Sequence, residues 1–184
     1  MTFQGGNRQG RPLVVDLDGT LVTCDVLRRS LGMMMRRSPW RVLQLPVWLL
    51  GGRVRFKQRV AQHISLEPVA LPYNDAVLSL IEQARADARP VLLATASHQL
   101  QAEPVARHLA VFDEVLASSG SENLKSGRKA AALVARFGVG GFDYVGNSHA
   151  DIPVWRCAAR CLVTNPDPLL MPRLKRLGFN AEAA

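Results

Sequence analysis

Apolar positions in this chain fall into short runs separated by stretches of helical period. Leu13-Val14-Val15 leads into Asp16-Leu17-Asp18-Gly19. It predicts a short buried strand, because β-branched residues suit a pleated surface and glycine punctuates its end. From Pro72 the pattern becomes regular. Asn74 is placed to cap a helix carrying Val77, Leu78, Ile81 and Ala84 on one face, and a strand follows over 90–95. Helices are predicted over 99–109, 127–137, 152–158 and 169–177, and strands over 114–117, 142–146 and 161–164. Strands alternating with helices at this spacing predict an α/β fold: a doubly wound parallel sheet with helices on both faces.

Residues 25–71 break the alternation. Asp25 can cap a helix to about Arg37, Ser38-Pro39 reads as a second start, and a basic helix is predicted from Arg53 to about Ile64. Between them Trp40–Leu50 is strongly apolar, with Pro46 expected to kink it and Gly51-Gly52 to end it. This segment is expected to be a small helical cap inserted after the first strand. The core then comprises 12–24 and 72–184, preceded by a flexible lead-in over 1–11. The apolar run is far short of the ~20 residues of a membrane span. A helix lying on a bilayer surface remains open, since arginines beside Trp and Leu suit that location.

Charge sharpens this division. The chain of 184 residues carries a net +8, yet no Asp or Glu occurs between Val26 and Leu66, where nine Arg and Lys residues fall. The basicity belongs to one segment, which argues against nucleic acid as the general partner. Three cysteines, Cys24, Cys157 and Cys161, form no metal-ligand spacing and point to a reducing, cytoplasmic setting.

Candidate chemistry gathers at the predicted strand ends, where open α/β sheets bind ligands. Alternation along a strand would aim Asp16 and Asp18 at one spot, where two carboxylates need a cation or a proton. Thr95-Ala96-Ser97 and Gly146-Asn147-Ser148-His149-Ala150-Asp151 end two further strands. Lys125 and Lys129 compete for one amine role, with Lys125 favoured by its place at a helix start. His98 and His149 read as pocket walls, and Cys24 as a packing residue. Carboxylates, hydroxyl, amine and amide are the inventory of a Mg²⁺-assisted phosphoryl transfer.

These stretches resemble the four motifs of the haloacid dehalogenase superfamily, whose fold is Rossmann-like. Asp16-Leu17-Asp18-Gly19-Thr20 matches the first, Leu93-Ala94-Thr95 the second, Lys125 the third, and Gly146–Asp151 the fourth. The insertion resembles that superfamily's C1-type cap. More closely, the chain is similar to the phosphatase-like domain found ahead of UbiA-type prenyltransferases, here expected to stand alone. The resemblance implies Asp16 as nucleophile, Asp18 as general acid/base, and Thr95 and Lys125 as further catalytic residues. It implies substrate contacts at Gly19, Thr20, Ala96 and Ser97, and Mg²⁺ held by Asp16, Asp18, Asn147 and Asp151. Asn147 departs from the Asp usual there. The function implied is a Mg²⁺-dependent phosphatase for an isoprenoid-linked or small sugar phosphate. The alternative is a non-catalytic or weakly active binding module at a membrane or an isoprenoid-pathway membrane enzyme. A cytoplasmic protein whose basic cap contacts an anionic membrane is the expected setting.

Overall fold

Strand β1, Leu13–Val15, is buried along its whole length, which suits a Leu-Val-Val run in the middle of a sheet covered on both faces. The computed structural model describes residues 10–64, 67–120 and 122–184. After β1 come α1 (Val26–Arg37), α2 (Leu45–Leu50), α3 (Arg53–His63) and α4 (Asp75–Ala86). Next follow β2 (Val91–His98), α5 (Gln99–Leu109), β3 (Glu114–Ser118), α6 (Gly127–Phe137) and β4 (Asp143–Gly146). The chain closes with α7 (Ile152–Trp155), β5 (Arg160–Val163), α8 (Leu170–Arg176) and β6 (Ala181–Ala183). The strands form one sheet in the order β3-β2-β1-β4-β5-β6, and each neighbouring pair is parallel. The expected α/β class holds.

The two-residue period of the strands divides the core. Leu13, Val15, Val91, Leu93, Val145 and Leu162 pack with Val77, Ile81, Ala102 and Val105 of α4 and α5. Val14, Leu92, Ala94, Tyr144 and Val163 pack on the other face with Leu133 of α6, Trp155 of α7, and Leu170 and Leu174 of α8. Winding reverses between β1 and β4, the pair whose carboxyl ends bound the crevice at the topological switch point. Asn74 caps α4, accepting from the Ala76 amide at 3.2 Å and donating to Thr164 Oγ1 at 2.8 Å.

In the helical segment Asp25 caps α1 as expected, its Oδ1 accepting from the Arg28 amide at 2.8 Å. Met34 of α1, Val60 of α3 and Ile64 join the core on the α4–α5 side, and α3 touches β2 and α5. Pro46 does not kink a continuous helix. A 3-10 helix runs from Pro39 to Gln44, and Pro46 occupies the first turn of α2, where its missing N–H costs no hydrogen bond. Helix α7 is shorter than the predicted 152–158 and is preceded by a 3-10 turn at His149–Asp151. Strand β6 was not expected. Residues 1–9 of the lead-in, and 65 and 66 of the inserted segment, lie outside the described residues.

Candidate active site

The strand ends at Val15, so pleat alternation does not place both aspartates. Asp16 still donates its amide to the Val145 carbonyl at 3.0 Å. The chain then turns: the amides of Thr20 and Val22 bond back to Leu17 O, and that of Leu21 to Asp16 O. Gly19 makes this turn possible. It has φ +76°, and a Cβ there would lie 2.2 Å from Asn147 Nδ2, so a larger residue would strain the backbone and displace the Asn147 side chain. The turn carries Asp18 toward the end of β2. Its carboxylate accepts from Ser97 Oγ at 2.6 Å, Thr95 Oγ1 at 3.4 Å and the Val26 amide at 2.7 Å, the last at the start of α1. Burial raises the Asp18 pKa, against the lowering effect of Ser97 and Val26.

Asp16 lies on the α6 side, and there the structure corrects the choice of lysine. Lys129, in the first turn of α6 and 3% exposed, donates from Nζ to Asp16 Oδ1 at 2.6 Å and to Tyr144 Oη at 2.9 Å. Lys125 lines the crevice without such a contact to Asp16. The legible signal was periodicity: Lys129 sits one turn ahead of Leu133 on the buried stripe of α6, and Lys125 precedes the helix. Burial pulls the Lys129 pKa down, but Asp16 and Asp151 outweigh it and the net shift is upward. Asp16 is pushed up to about 7, first by burial, with Lys129 opposing and Asp151 and Asp18 adding to the rise. No hydrogen bond engages Asp16 Oδ2 among the described residues.

Asp151 is committed to the scaffold. Its Oδ2 accepts from the Ser148 amide at 3.1 Å, Ser148 Oγ at 3.0 Å and the Asn147 amide at 3.3 Å, closing a capping box. Its Oδ1 accepts from Tyr144 Oη at 2.7 Å and lies 3.8 Å from Lys129 Nζ. A chain Asp151–Tyr144–Lys129–Asp16 therefore fixes the ammonium against the first carboxylate. Gly146 belongs to the same packing, since a Cβ there would come within 2.9 Å of the Asp151 carboxylate and the Tyr144 ring.

These groups open onto a crevice of about 350 Å³ lined by Asp16, Asp18, Gly19, Ala96, Ser97, Lys129, Asn147 and Asp151, a size that suits a small ligand. Two expected residues are not part of its lining. Thr20 is fully buried, its hydroxyl without a hydrogen-bond partner among the described residues. Thr95 is also fully buried, so the crevice-lining hydroxyl of this strand end is Ser97. One residue was missed: Lys57 of α3 reaches into the crevice and donates from Nζ to the Ala96 carbonyl at 2.7 Å. No local motif announces it, because its place depends on how α3 packs over β2. His98 caps α5, its Nδ1 accepting from the Leu100 amide at 3.2 Å, and His149 lines a separate surface groove beside α8.

The family model for haloacid dehalogenase-like hydrolases matches residues 13–156, from β1 through α7. The chain belongs to this family. A relative from Sinorhizobium fredii (strain NBRC 101917 / NGR234), the uncharacterized protein y4nM, is 39% identical over 168 residues, covering 91% of this chain and 32% of that protein. This chain thus spans about a third of that curated relative's length. Among solved structures, a protein of unknown function from Bordetella pertussis Tohama I superposes with a TM-score of 0.71 at 15% identity, covering 94% of this chain and 98% of that one. A substrate-bound phosphoserine phosphatase superposes at 0.62 and 13% identity, covering 91% of each chain. At such identities these neighbours speak to the fold.

Mg²⁺, implied by resemblance to haloacid dehalogenase-like hydrolases, takes oxygen ligands and keeps several waters. Asp16, Asp18 and Asn147, each of which carries such oxygens, line one crevice. Burial is the first cause of the raised Asp16 pKa, so a cation placed against this carboxylate would favour its charged form. Among the described residues no three His, Cys, Asp or Glu side chains converge. Asn147, in the lining of the same crevice, adds an amide oxygen without a charge.

Proposed function

We propose that the protein is a Mg²⁺-dependent phosphatase that hydrolyses a phosphomonoester through an aspartyl-phosphate on Asp16. The observation that carries this reading is the buried Asp16–Lys129 pair, 2.6 Å apart, opening onto a crevice that Asp18 shares. Lys129 holds Oδ1 and leaves Oδ2 to attack phosphorus, forming the acyl-phosphate bond as the P–O ester bond breaks. Asp18, whose raised pKa suits a proton donor, protonates the leaving alkoxide. The Asp18 carboxylate then takes a proton from water, whose oxygen attacks phosphorus, breaks the acyl-phosphate bond and restores Asp16. Mg²⁺ held by Asp16, the Asp18 carbonyl and Asn147 would supply counter-charge between the carboxylate and the phosphate oxygens.

In this reading Lys129 takes the role first given to Lys125. Gly19, Ala96 and Ser97 border the phosphate, and Thr20 and Thr95 support that border. Residues 25–71 act as a cap whose Lys57 meets the substrate. The substrate class is an isoprenoid-linked or small sugar phosphate, and three free cysteines suit a cytoplasmic location. Asn147 motivates the second reading, a weakly active or non-catalytic binding module of the same fold. Asp16→Asn tests the first: Mg²⁺-dependent turnover of p-nitrophenyl phosphate should vanish, and unchanged turnover removes Asp16 from the chemistry.

A further inference from the structure

The segment joining α1 to α3 is apolar: Leu45 and Trp48 pack against the core, and its other face is covered by none of the described residues. From Pro39 to Leu50 no residue is buried, although Arg41 and Gln44 are its only polar side chains. Leu50 is 89% exposed, Leu43 82% and Trp40 58%, with Met35, Val47 and Leu49 also open. Scattered exposed leucines are ordinary, but a contiguous exposed ridge marks a contact surface.

Charge identifies the occupant. Arg36 and Arg37 end α1, Arg55 packs its side chain against Gly51 just after the ridge, and the Arg41 guanidinium lies 4.9 Å from the centre of the Trp40 ring. Residues 26–66 contain no acidic side chain. A second copy packed symmetrically on this face would set arginines against arginines, which is unfavourable. An acidic, apolar-backed surface satisfies both features at once. Trp and Leu enter the headgroup–acyl boundary while guanidinium groups pair with anionic headgroups. No helix among the described residues is long and apolar enough to cross a membrane, so the contact would lie along the surface.

We propose that the ridge around Trp40, Leu43, Val47 and Leu50, flanked by Arg36, Arg37, Arg41 and Arg55, docks the protein on an anionic lipid bilayer. None of these side chains lines the Asp16 crevice, so the inference stands whether or not the protein is a phosphatase.

Flotation of the full chain with phosphatidylcholine vesicles, with and without phosphatidylglycerol, tests it. Binding should be at least about tenfold stronger with phosphatidylglycerol and should weaken as salt rises. L43Q/L50Q and R36Q/R37Q should each lose at least about tenfold in vesicle affinity. All four positions are exposed, and unchanged circular dichroism and melting confirm that the variants fold. Absent binding, equal binding to neutral vesicles, or binding insensitive to either variant overturns the proposal. So does a wild-type dimer that L43Q/L50Q converts to a monomer, because a second copy would then be the occupant.

Discussion

Replacing Lys129 with methionine removes the ammonium that contacts Asp16 while keeping much of the side-chain volume. At 2.6 Å, opposite charges attract by about 6 kcal/mol at an effective dielectric near 20. Asp16 already ionises only near pH 7 with that attraction present. Losing even about 2 kcal/mol of it would leave more than about nine-tenths of the carboxyl protonated at pH 7. A neutral acid is a poor nucleophile, so K129M should lower kcat on p-nitrophenyl phosphate at pH 7 by at least about tenfold. What activity remains should rise with pH, with its acid limb displaced upward from the wild-type position. K125M is the control and should stay within about threefold of wild type, since a crevice-lining charge offers only screened attraction. The reasoning fails if K129M keeps near-normal kcat while K125M abolishes it.

A second measurement on the same variant needs no turnover. The folded-state pKa of Asp16, about 7, lies above its ordinary 3.8. Stability linked to this group is therefore fully present below the unfolded value and lost as pH rises through about 7. In K129M the folded pKa stands higher still, so the loss continues into alkaline pH where the wild type has levelled off. The difference in melting temperature between the metal-free proteins should be nearly constant below about pH 7 and widen above it. A difference that is constant across the whole range would mean that Lys129 does not govern Asp16.

Two further outcomes follow from the crevice. Asn147→Asp adds a carboxylate beside Asp16, so Mg²⁺ affinity measured by calorimetry should rise by about 10–100-fold and metal-free stability should fall. A matching rise in turnover would favour the weakly active reading of the natural site, whereas unchanged affinity would remove position 147 from the metal site. Lys57→Ala should raise KM for an anionic substrate by about tenfold with kcat changed less than threefold, because it removes binding without touching the reacting atoms. A fall in kcat at constant KM would instead place Lys57 in the chemistry.

What could be read from the sequence divides along local and long-range lines. The strands and main helices were legible because each carries its own period, and the caps at Asp25 and Asn74 announce themselves chemically. Asp16 and Asp18 were legible as residues, but the reason for their convergence was not. The strand stops before both of them, and the Gly19 turn places Asp18. Strand β6, Ala-Glu-Ala, has almost no strand propensity and exists because β5 offers an edge, with the Ala184 amide bonded to Val163 O at 2.9 Å. Lys57 was invisible for the same reason: its role is set by a tertiary contact.

The choice between the two lysines shows how burial decides chemistry. As isolated charges Lys125 and Lys129 are equivalent, and position at a helix start favours the former. On the buried stripe of α6, however, an ammonium is tolerable only with carboxylates waiting for it. Lys129 meets Asp16 directly and Asp151 through Tyr144. Asp151 is thereby occupied in holding the lysine and capping the turn after β4, so its charge is shared before any cation arrives. The charge that Asn147 lacks cannot then be borrowed from Asp151 without loosening the lysine. Drawing Asp151 toward a cation would weaken the Tyr144 link and free Lys129 to move from Asp16. If the crevice takes Mg²⁺ as proposed, position 147, rather than 151, should therefore control how strongly it is held.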